Sequence, residues 1–318
     1  MVADDRIFAE LGNTLEQADF PVAAKAERGK VRDWFCQGDR RIIVTSDRIS
    51  AFARVLGTIP FKGQVLNQLA AYWFDKTRHI VPNHIVAVPD PNIIVASECQ
   101  QLSLEFIVRG YITGVTKTSA WTHYAAGVRN FCGHVLPEGL RKDQKLETPI
   151  LTPTTKHEEH DRNVSREEAI AEGLIDAETF DAAAAICLDL YNYGVEVAAE
   201  RGLILVDTKY ELGLLDGKLV VSDEVNTPDS SRYWYADTYA ERFTAGEAQR
   251  KIDKEYVREW LAGQGFTGDG TPPVLPDEVR VEAARRYIQA YELITGQPFE
   301  VSDEPVRTRV AKALATLC

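Results

Sequence analysis

Acids and bases gather in the stretch LILVDTKYELGLLDGKLVVSDEVNTPDSSRYW, residues 203–234. Asp207, Lys209 and Glu211 alternate along its first half, and period two puts all three on one face of an extended segment. Asp223 and Glu224 follow the second apolar run, and Asp229, Ser230, Ser231 and Arg232 come after Pro228. Carboxylates that converge at the edge of a sheet repel one another unless a cation lies between them. Mg²⁺ suits such oxygen donors and commonly completes its shell with substrate phosphates, so a nucleoside triphosphate is the expected companion. The competing reading is a set of solvated charges at the ends of a hairpin.

Other charged positions stand in equally informative places. Gly29-Lys30-Val31-Arg32-Asp33 offers a glycine and two cations on a polar strand, a combination able to approach phosphate, although the GxxxxGK[ST] spacing of a Walker A loop is absent. An exposed basic hairpin would look the same. Glu105 and Arg109 interrupt an otherwise apolar strand and need partners or a ligand, each other included. Hydroxyls, Lys156, His157, His160 and Asp161 collect at residues 152–161, but no HExxH or cysteine partner supports a transition metal there.

The elements that must hold these groups can be read from the pattern. Runs at Leu203–Val206 and Leu219–Val221 flank Leu215-Asp216-Gly217-Lys218, and Asp-Gly predicts a hairpin. A second hairpin is expected over 23–44, turning at Gln37-Gly38-Asp39. Strands are expected at 85–88, 93–96 and 104–108, with a polar, irregular flap over 115–147 anchored by Trp121, His123 and Tyr124. Apolar spacing predicts helices at about 63–76 and 177–201, the latter ending at Gly202, and Ser165-Arg166-Glu167-Glu168 fits a capping box. Further helices are expected at 246–262, 277–295 and 304–317, from the first of which Asp253, Lys254 and Arg258 could reach a site.

The 318 residues can bury a large core, and the composition, 45% apolar and 26% charged, is that of a soluble globular protein. A net charge of −12 speaks against nucleic-acid or anionic-membrane partners. No apolar run of spanning length occurs and the acidic N-terminus lacks the features of a signal peptide, so a cytoplasmic location is expected. Cys36, Cys99, Cys132, Cys187 and Cys318 are scattered and read as small buried hydrophobes.

Taken in order, GKVRD (29–33), SDRISAF (46–52), IPFKGQVLNQL (59–69), LEFIVRGYITG (104–114), TPTTK with EHD (152–161), LVDTKYELG (205–213), SDEVNTPDSSRYW (222–234) and DKEYVREWL (253–261) resemble the phosphoribosylaminoimidazole-succinocarboxamide synthase (SAICAR synthetase) family. The resemblance implies an α+β fold like those of ATP-grasp and kinase-like ATP binders. It would comprise a β-rich ATP-binding lobe over 1–110, an α+β lobe with the metal and substrate sites over 111–245, and a helical C-terminal segment over 246–318. The implied reaction is that of a carbon–nitrogen ligase in purine biosynthesis, joining L-aspartate to the imidazole carboxylate of the ribonucleotide CAIR. ATP would convert the carboxylate to an acyl phosphate that the amine can attack. Catalytic roles fall to Lys30, Asp207, Lys209 and Arg232, and ATP binding to Gly29, Lys30, Arg32, Glu105, Lys156, Asp207 and Glu211. Glu105, Glu211 and Asp223 would hold Mg²⁺, and Arg109, Ser119, Asp161, Asp229, Ser230, Ser231 and Arg232 would bind substrate.

Two departures mark this chain. Where many family members read ITGS followed shortly by Trp, Gly114 is followed by Val115-Thr116-Lys117-Thr118-Ser119-Ala120-Trp121, which aligns Ser119 across an insertion of four residues. Ala53 stands where the family often has Asp after ISAF. A small-molecule kinase would use the same phosphate-facing groups with a hydroxyl acceptor and no aspartate, and a non-catalytic nucleotide binder would hold ATP without releasing ADP. The sequence fixes no oligomeric state.

Overall fold

The computed structural model describes residues 2–21, 26–51, 54–156, 162–252, 255–266, 268 and 270–317. Ala53, His157, His160, Asp161, Asp253, Lys254 and Cys318 lie outside the described residues. The chain divides into two compact units, Met1–Asp75 with His84–Glu98 and Ile252–Cys318, and Lys76–Asn83 with Cys99–Lys251. This differs from divisions near 110 and 245 for two physical reasons. The strand crossing residue 110 is continuous, and the last helices share a core with the first strands.

In the first unit, α1 (Asp4–Ala9) precedes the strands β1 (Glu27–Arg28), β2 (Arg32–Gln37) and β3 (Arg40–Thr45), then the hairpin of β4 (Arg48–Ala51) and β5 (Arg54–Thr58), α2 (Lys62–Lys76), β6 (Ile85–Asp90) and β7 (Ile93–Ser97). The main sheet is antiparallel in the order β1-β2-β3-β7-β6. The expected turn between β2 and β3 forms, but GKVRD is a second hairpin tip rather than one strand: Arg28 pairs with Asp33, and the Gly29 amide donates to the Arg32 carbonyl at 2.8 Å.

Two neighbouring residues of the SDRIS segment explain how that tip is held. Arg48, buried, donates to the carbonyls of Lys30 (3.0 Å), Gly29 (3.1 Å) and Glu16 (2.5 Å) and to both carboxylate oxygens of Asp33 (2.6 and 3.2 Å). Asp47 accepts from the Leu15 amide (2.7 Å) and from the Gly63 amide in the first turn of α2 (2.8 Å); burial nevertheless pushes its carboxyl up to about 6.

The second unit begins with β8 (Gln100–Ile112), α3 (Ala120–Ala125), the short strands β9 (Asn130–Phe131) and β10 (His134–Val135), β11 (Gln144–Leu151) and β12 (Thr154–Thr155). Then come α4 (Arg166–Ala171), α5 (Ala177–Glu200), β13 (Leu203–Leu215), β14 (Lys218–Ser222), β15 (Ser231–Tyr235) and α6 (Ala236–Ala245). The region expected as an irregular flap is ordered instead. Ile112, Ala120, Tyr124, Phe131, Leu136, Leu146 and Ile150 close a small core of their own there.

The unit's sheet runs β11-β8-β13-β14, with β12 also on β8 and β15 also on β13. The expected hairpin is present, its Asp216 (φ 51°) and Gly217 (φ 75°) both left-handed as a type I′ turn requires. Its first strand, however, is thirteen residues long and runs through Asp207, Lys209 and Glu211 instead of ending before them. The capping box at Ser165 and the C′ glycine at Gly202 (φ 68°) form as read. The long helix α5 covers one face of the sheet, where Phe106 of β8 meets Phe180 with ring centroids 5.8 Å apart.

The chain returns to the first unit with α7 (Glu255–Gly263), α8 (Asp277–Thr295) and α9 (Val306–Ala315). Val310 and Leu314 of α9 pack with Leu15, Phe35, Ile42, Val44, Ile93 and Val95. The helix expected over 246–262 forms only over its second half, as α7, and an unexpected helix, α6, precedes it and ends at left-handed Gly246. Of the cysteines, Cys99 and Cys187 are buried as expected, whereas Cys36 is exposed and Cys132 half-buried. No helix among the described residues is long and apolar enough to cross a membrane.

Arg48→Met removes the donor of the Asp33 carboxylate and of three carbonyls at once. It should lower unfolding stability by about 3–5 kcal/mol in urea titration, and a loss within experimental error would remove Arg48 from this role.

Candidate active site

The candidate site lies on the face of the second unit's sheet opposite α5. Strand β8 alternates, with Leu104, Phe106 and Val108 fully buried and Glu105 and Ile107 half-buried between them. Its partner β13 supplies the other half of a ladder, Arg109 opposite Asp207, Ile107 opposite Lys209 and Glu105 opposite Glu211. Directly opposed residues share a face, so the sheet places five charged side chains, two basic and three acidic, in one patch.

At one end the Lys209 ammonium is ringed by carboxylates: Glu211 at 2.5 Å, Glu105 at 3.0 Å and Asp223 at 3.7 Å. Lys156, just past β12, donates to the second Glu211 oxygen. Burial pushes the Glu211 carboxyl up, but the ammonium groups of Lys209 and Lys156 outweigh it and hold the acid well below the usual carboxylate range. For Lys209 burial disfavours the charge, and Glu211, Asp223 and Glu105 together hold it well above the ordinary lysine value. Asp223 sits at the end of β14 with φ 58°, and Asn226 has φ 49°, two left-handed non-glycine residues on the approach to the site. Asn226 is pinned there by the hydroxyls of Tyr210 (2.7 Å) and Tyr233 (2.6 Å), which donate to its side-chain and backbone oxygens.

At the other end Asp207 lies between two arginines. Arg232 of β15 donates to its Oδ2, and Arg109 reaches the same oxygen at 3.4 Å. Arg109, 4% exposed, also donates to the Thr152 hydroxyl at 2.7 Å and to the Thr118 carbonyl at 3.1 Å. Burial pulls its guanidinium below the ordinary arginine value, with Asp207 opposing. Ser119 is buried, its hydroxyl accepting from the Thr116 amide at 3.1 Å. The insertion therefore brings Ser119 to the arginines: a Cβ on Gly114 (φ 97°) would lie 2.3 Å from Ser119 Oγ and 3.2 Å from Arg232 Nη2. Only glycine accommodates that approach.

The sequence-derived residues Glu105, Arg109, Ser119, Lys156, Asp207, Lys209, Glu211, Asp223 and Arg232 thus fall in one connected patch. Glu105 and Arg109 do not pair with each other; each finds its counter-charge on β13. Asp229 and Ser230 are half-buried in the loop before β15, where the Ser230 carbonyl accepts from the Lys209 amide at 3.1 Å; the buried Ser231 donates to the Thr208 hydroxyl at 2.8 Å. Gly29, Lys30 and Arg32 belong to the first unit, with Lys30 exposed at its hairpin tip. Thr152, Gly114 and Asn226 escaped the sequence reading. TPTTK contains the first of these, but its contact with Arg109 spans 43 positions of the chain.

The donor set around Lys209 is three carboxylates, the chemistry a hard divalent cation selects. Among the described residues no three of His, Cys, Asp and Glu are yet drawn together as ligands. The lysine ammonium supplies the positive charge at the centre of these acids.

The family model for SAICAR synthetase matches residues 25–273. The phosphoribosylaminoimidazole-succinocarboxamide synthase of Legionella pneumophila (strain Paris) is 50% identical over 283 residues, covering 88% of this chain and 91% of that protein. The chloroplastic enzyme of the same name from Arabidopsis thaliana is 46% identical over 306 residues, 95% of this chain and 74% of that protein. Among solved structures, the SAICAR synthase of Saccharomyces cerevisiae complexed with SAICAR superposes with a TM-score of 0.77 at 31% identity, over 90% of this chain and 98% of that one. A family match over most of the chain, with relatives at half identity across nearly their full length, places the chain in the SAICAR synthetase family.

Proposed function

We propose that the charged ladder of β8 and β13 is where this chain carries out its family's reaction, the ATP-dependent joining of L-aspartate to CAIR. The activity follows from family membership, since the relatives at 46–50% identity are synthases of this name. The residue assignments are our reading of the patch. The observation that carries them is the division of one sheet face into a carboxylate cluster that demands a cation and, beside it, a pair of arginines sharing one carboxylate.

A carboxylate is a poor electrophile. Attack of its oxygen on the γ-phosphorus of ATP expels ADP and gives an acyl phosphate. The aspartate amine then attacks the acyl carbon, loses a proton and displaces phosphate, leaving the amide. Phosphoryl transfer of this kind needs charge neutralisation and alignment more than covalent help from the protein. Glu105, Glu211 and Asp223 would hold Mg²⁺, which when bound screens phosphate charge. Lys209 and Lys156, already among these acids, supply further positive charge for phosphate oxygens. Lys30 and Arg32, at the hairpin tip fixed by Arg48, are assigned to ATP phosphate as well.

Arg109 and Arg232 are assigned to CAIR, most naturally its phosphate, because a planar fork of donors matches phosphate oxygens. Asp207 holds both forks in place in the absence of ligand, and Ser119 adds a hydroxyl at the same spot. Asp161, Asp229, Ser230 and Ser231 complete the substrate assignment, with the aspartate substrate their candidate ligand.

Purified protein given Mg-ATP and CAIR should release ADP only when L-aspartate is present, with succinocarboxamide product formed in equal amount. Release without aspartate, or none at all, would overturn the assignment of the reaction to this patch. Arg232→Ala should raise KM for CAIR by about tenfold or more, the effect of losing on the order of 1.4 kcal/mol or more of binding, while KM for ATP stays within about twofold; an unchanged KM for CAIR removes Arg232 from that role. Lys209→Met leaves three carboxylates facing one another. It should cost about 2 kcal/mol in chelator, and Mg²⁺ should raise Tm of the variant more than Tm of the parent. Equal Mg²⁺ shifts in the two proteins would show that these acids do not take the cation.

A further inference from the structure

The pairing of Asp207 with Arg232 depends on an irregularity in β13. Leu205 pairs with Tyr233 of β15, and the next pair is Asp207 with Arg232, so β13 advances two residues while β15 advances one. Val206 is the extra residue of a β-bulge. In a regular ladder Val206 would stand opposite Arg232, and Asp207 opposite Ser231. The bulge is therefore what brings the carboxylate level with the guanidinium.

A bulge interrupts the ladder and leaves carbonyls in need of donors. Here the Leu205 and Val206 carbonyls turn to one group, the hydroxyl of Tyr191 on α5, at 2.9 and 3.2 Å. Tyr191 is 2% exposed. Burial drives its phenol far above the ordinary tyrosine range, so the hydroxyl keeps its proton and remains a donor. The opposing strand is shaped to admit it. A Cβ on Gly110 would lie 2.1 Å from the Tyr191 hydroxyl oxygen but 3.1 Å from the nearest ring carbon, so the space that the missing side chain leaves is filled by that oxygen.

We propose that Tyr191 is a positioning residue for substrate binding: its hydroxyl locks the Val206 bulge and thereby sets Asp207 against Arg109 and Arg232. The inference rests on the reading of those arginines as the CAIR grip. Tyr191 touches neither substrate nor metal in it and acts through the backbone alone. The lock has three parts, the hydroxyl, the two bulge carbonyls and the vacancy at Gly110.

The test is a double-mutant cycle on the full-length enzyme, with KM measured separately for CAIR and ATP. Tyr191→Phe removes only the hydroxyl and keeps the ring that packs in the core. It should raise KM for CAIR by about five- to tenfold, a loss on the order of 1 kcal/mol, with KM for ATP unchanged and far-ultraviolet circular dichroism like that of the parent. Gly110→Ala should do the same by driving the hydroxyl off the carbonyls. Combined, the two should cost no more than the worse of them, because the phenylalanine leaves room for the new methyl group. Multiplicative effects, or a folded Tyr191→Phe enzyme with the parental KM for CAIR, would overturn the proposal. Asp207→Asn separates this from the site reading. If it too leaves KM for CAIR unchanged, the arginine grip itself is wrong; if it raises that KM while Tyr191→Phe does not, only the lock is.

Discussion

Charge taken out of water within a sheet has to be neutralised within that sheet, and the second unit is built around this requirement. Glu105 and Arg109 stand on β8 among fully buried neighbours, and β13 answers both with the opposite sign, Asp207 directly across from Arg109 and Lys209 diagonally from Glu105. Either strand alone would carry uncompensated charge into an apolar layer, at a cost of several kcal/mol. The need for compensation thus fixes the register as firmly as the apolar face does, since a slip of one residue would turn Asp207, Lys209 and Glu211 toward α5. A binding face results in which the groups available to ligands are already paired with each other. On the proposed assignment, substrate and metal would enter by exchange of partners rather than by filling an empty hole.

The motifs that mark the family divide between chemistry and support. Asp47 and Arg48 of the SDRISAF motif serve as supports: Asp47 holds the start of α2, and Arg48 holds the loop that carries Lys30 together with the Asp33 carboxylate. Gly114 serves by lacking a side chain. Around the ladder, Thr152, Thr118 and the Tyr210–Asn226–Tyr233 group fix orientations without offering charge. A guanidinium that has several acceptors cannot swing, and restricted side chains lose less entropy when a ligand arrives.

Much of this was legible in the sequence, for identifiable reasons. The Asp216-Gly217 turn, the Ser165 capping box and the helices α2, α5 and α8 follow local rules of turn chemistry, capping and apolar spacing, and they appear where those rules put them. Period two placed Asp207, Lys209 and Glu211 on one face. What it hid was that the strand continues beneath them, because only one face is charged; Thr208 and Tyr210 between them, and Leu212 after them, are buried. Helix α6, none of whose residues is fully buried, was missed, and the small core over 112–150 was missed because its strands β9 and β10 are two residues each. Partners such as Thr152 for Arg109, or Tyr191 for the bulge, are set by packing and carry no signature in chain order.

The ladder also bears on how the protein comes to exist in a cell. The residues that neutralise one another across β8 and β13 are 98 and 104 positions apart, with α3, α4 and α5 between them. During synthesis β8 emerges long before β13, carrying its glutamate and arginine without their counter-charges, and loops of that length close slowly. Until the ribosome has delivered the stretch that ends with β15, the nascent chain holds an exposed strand edge, a template for pairing with the wrong neighbour. Its charges, by keeping that edge hydrated, also protect it while it waits.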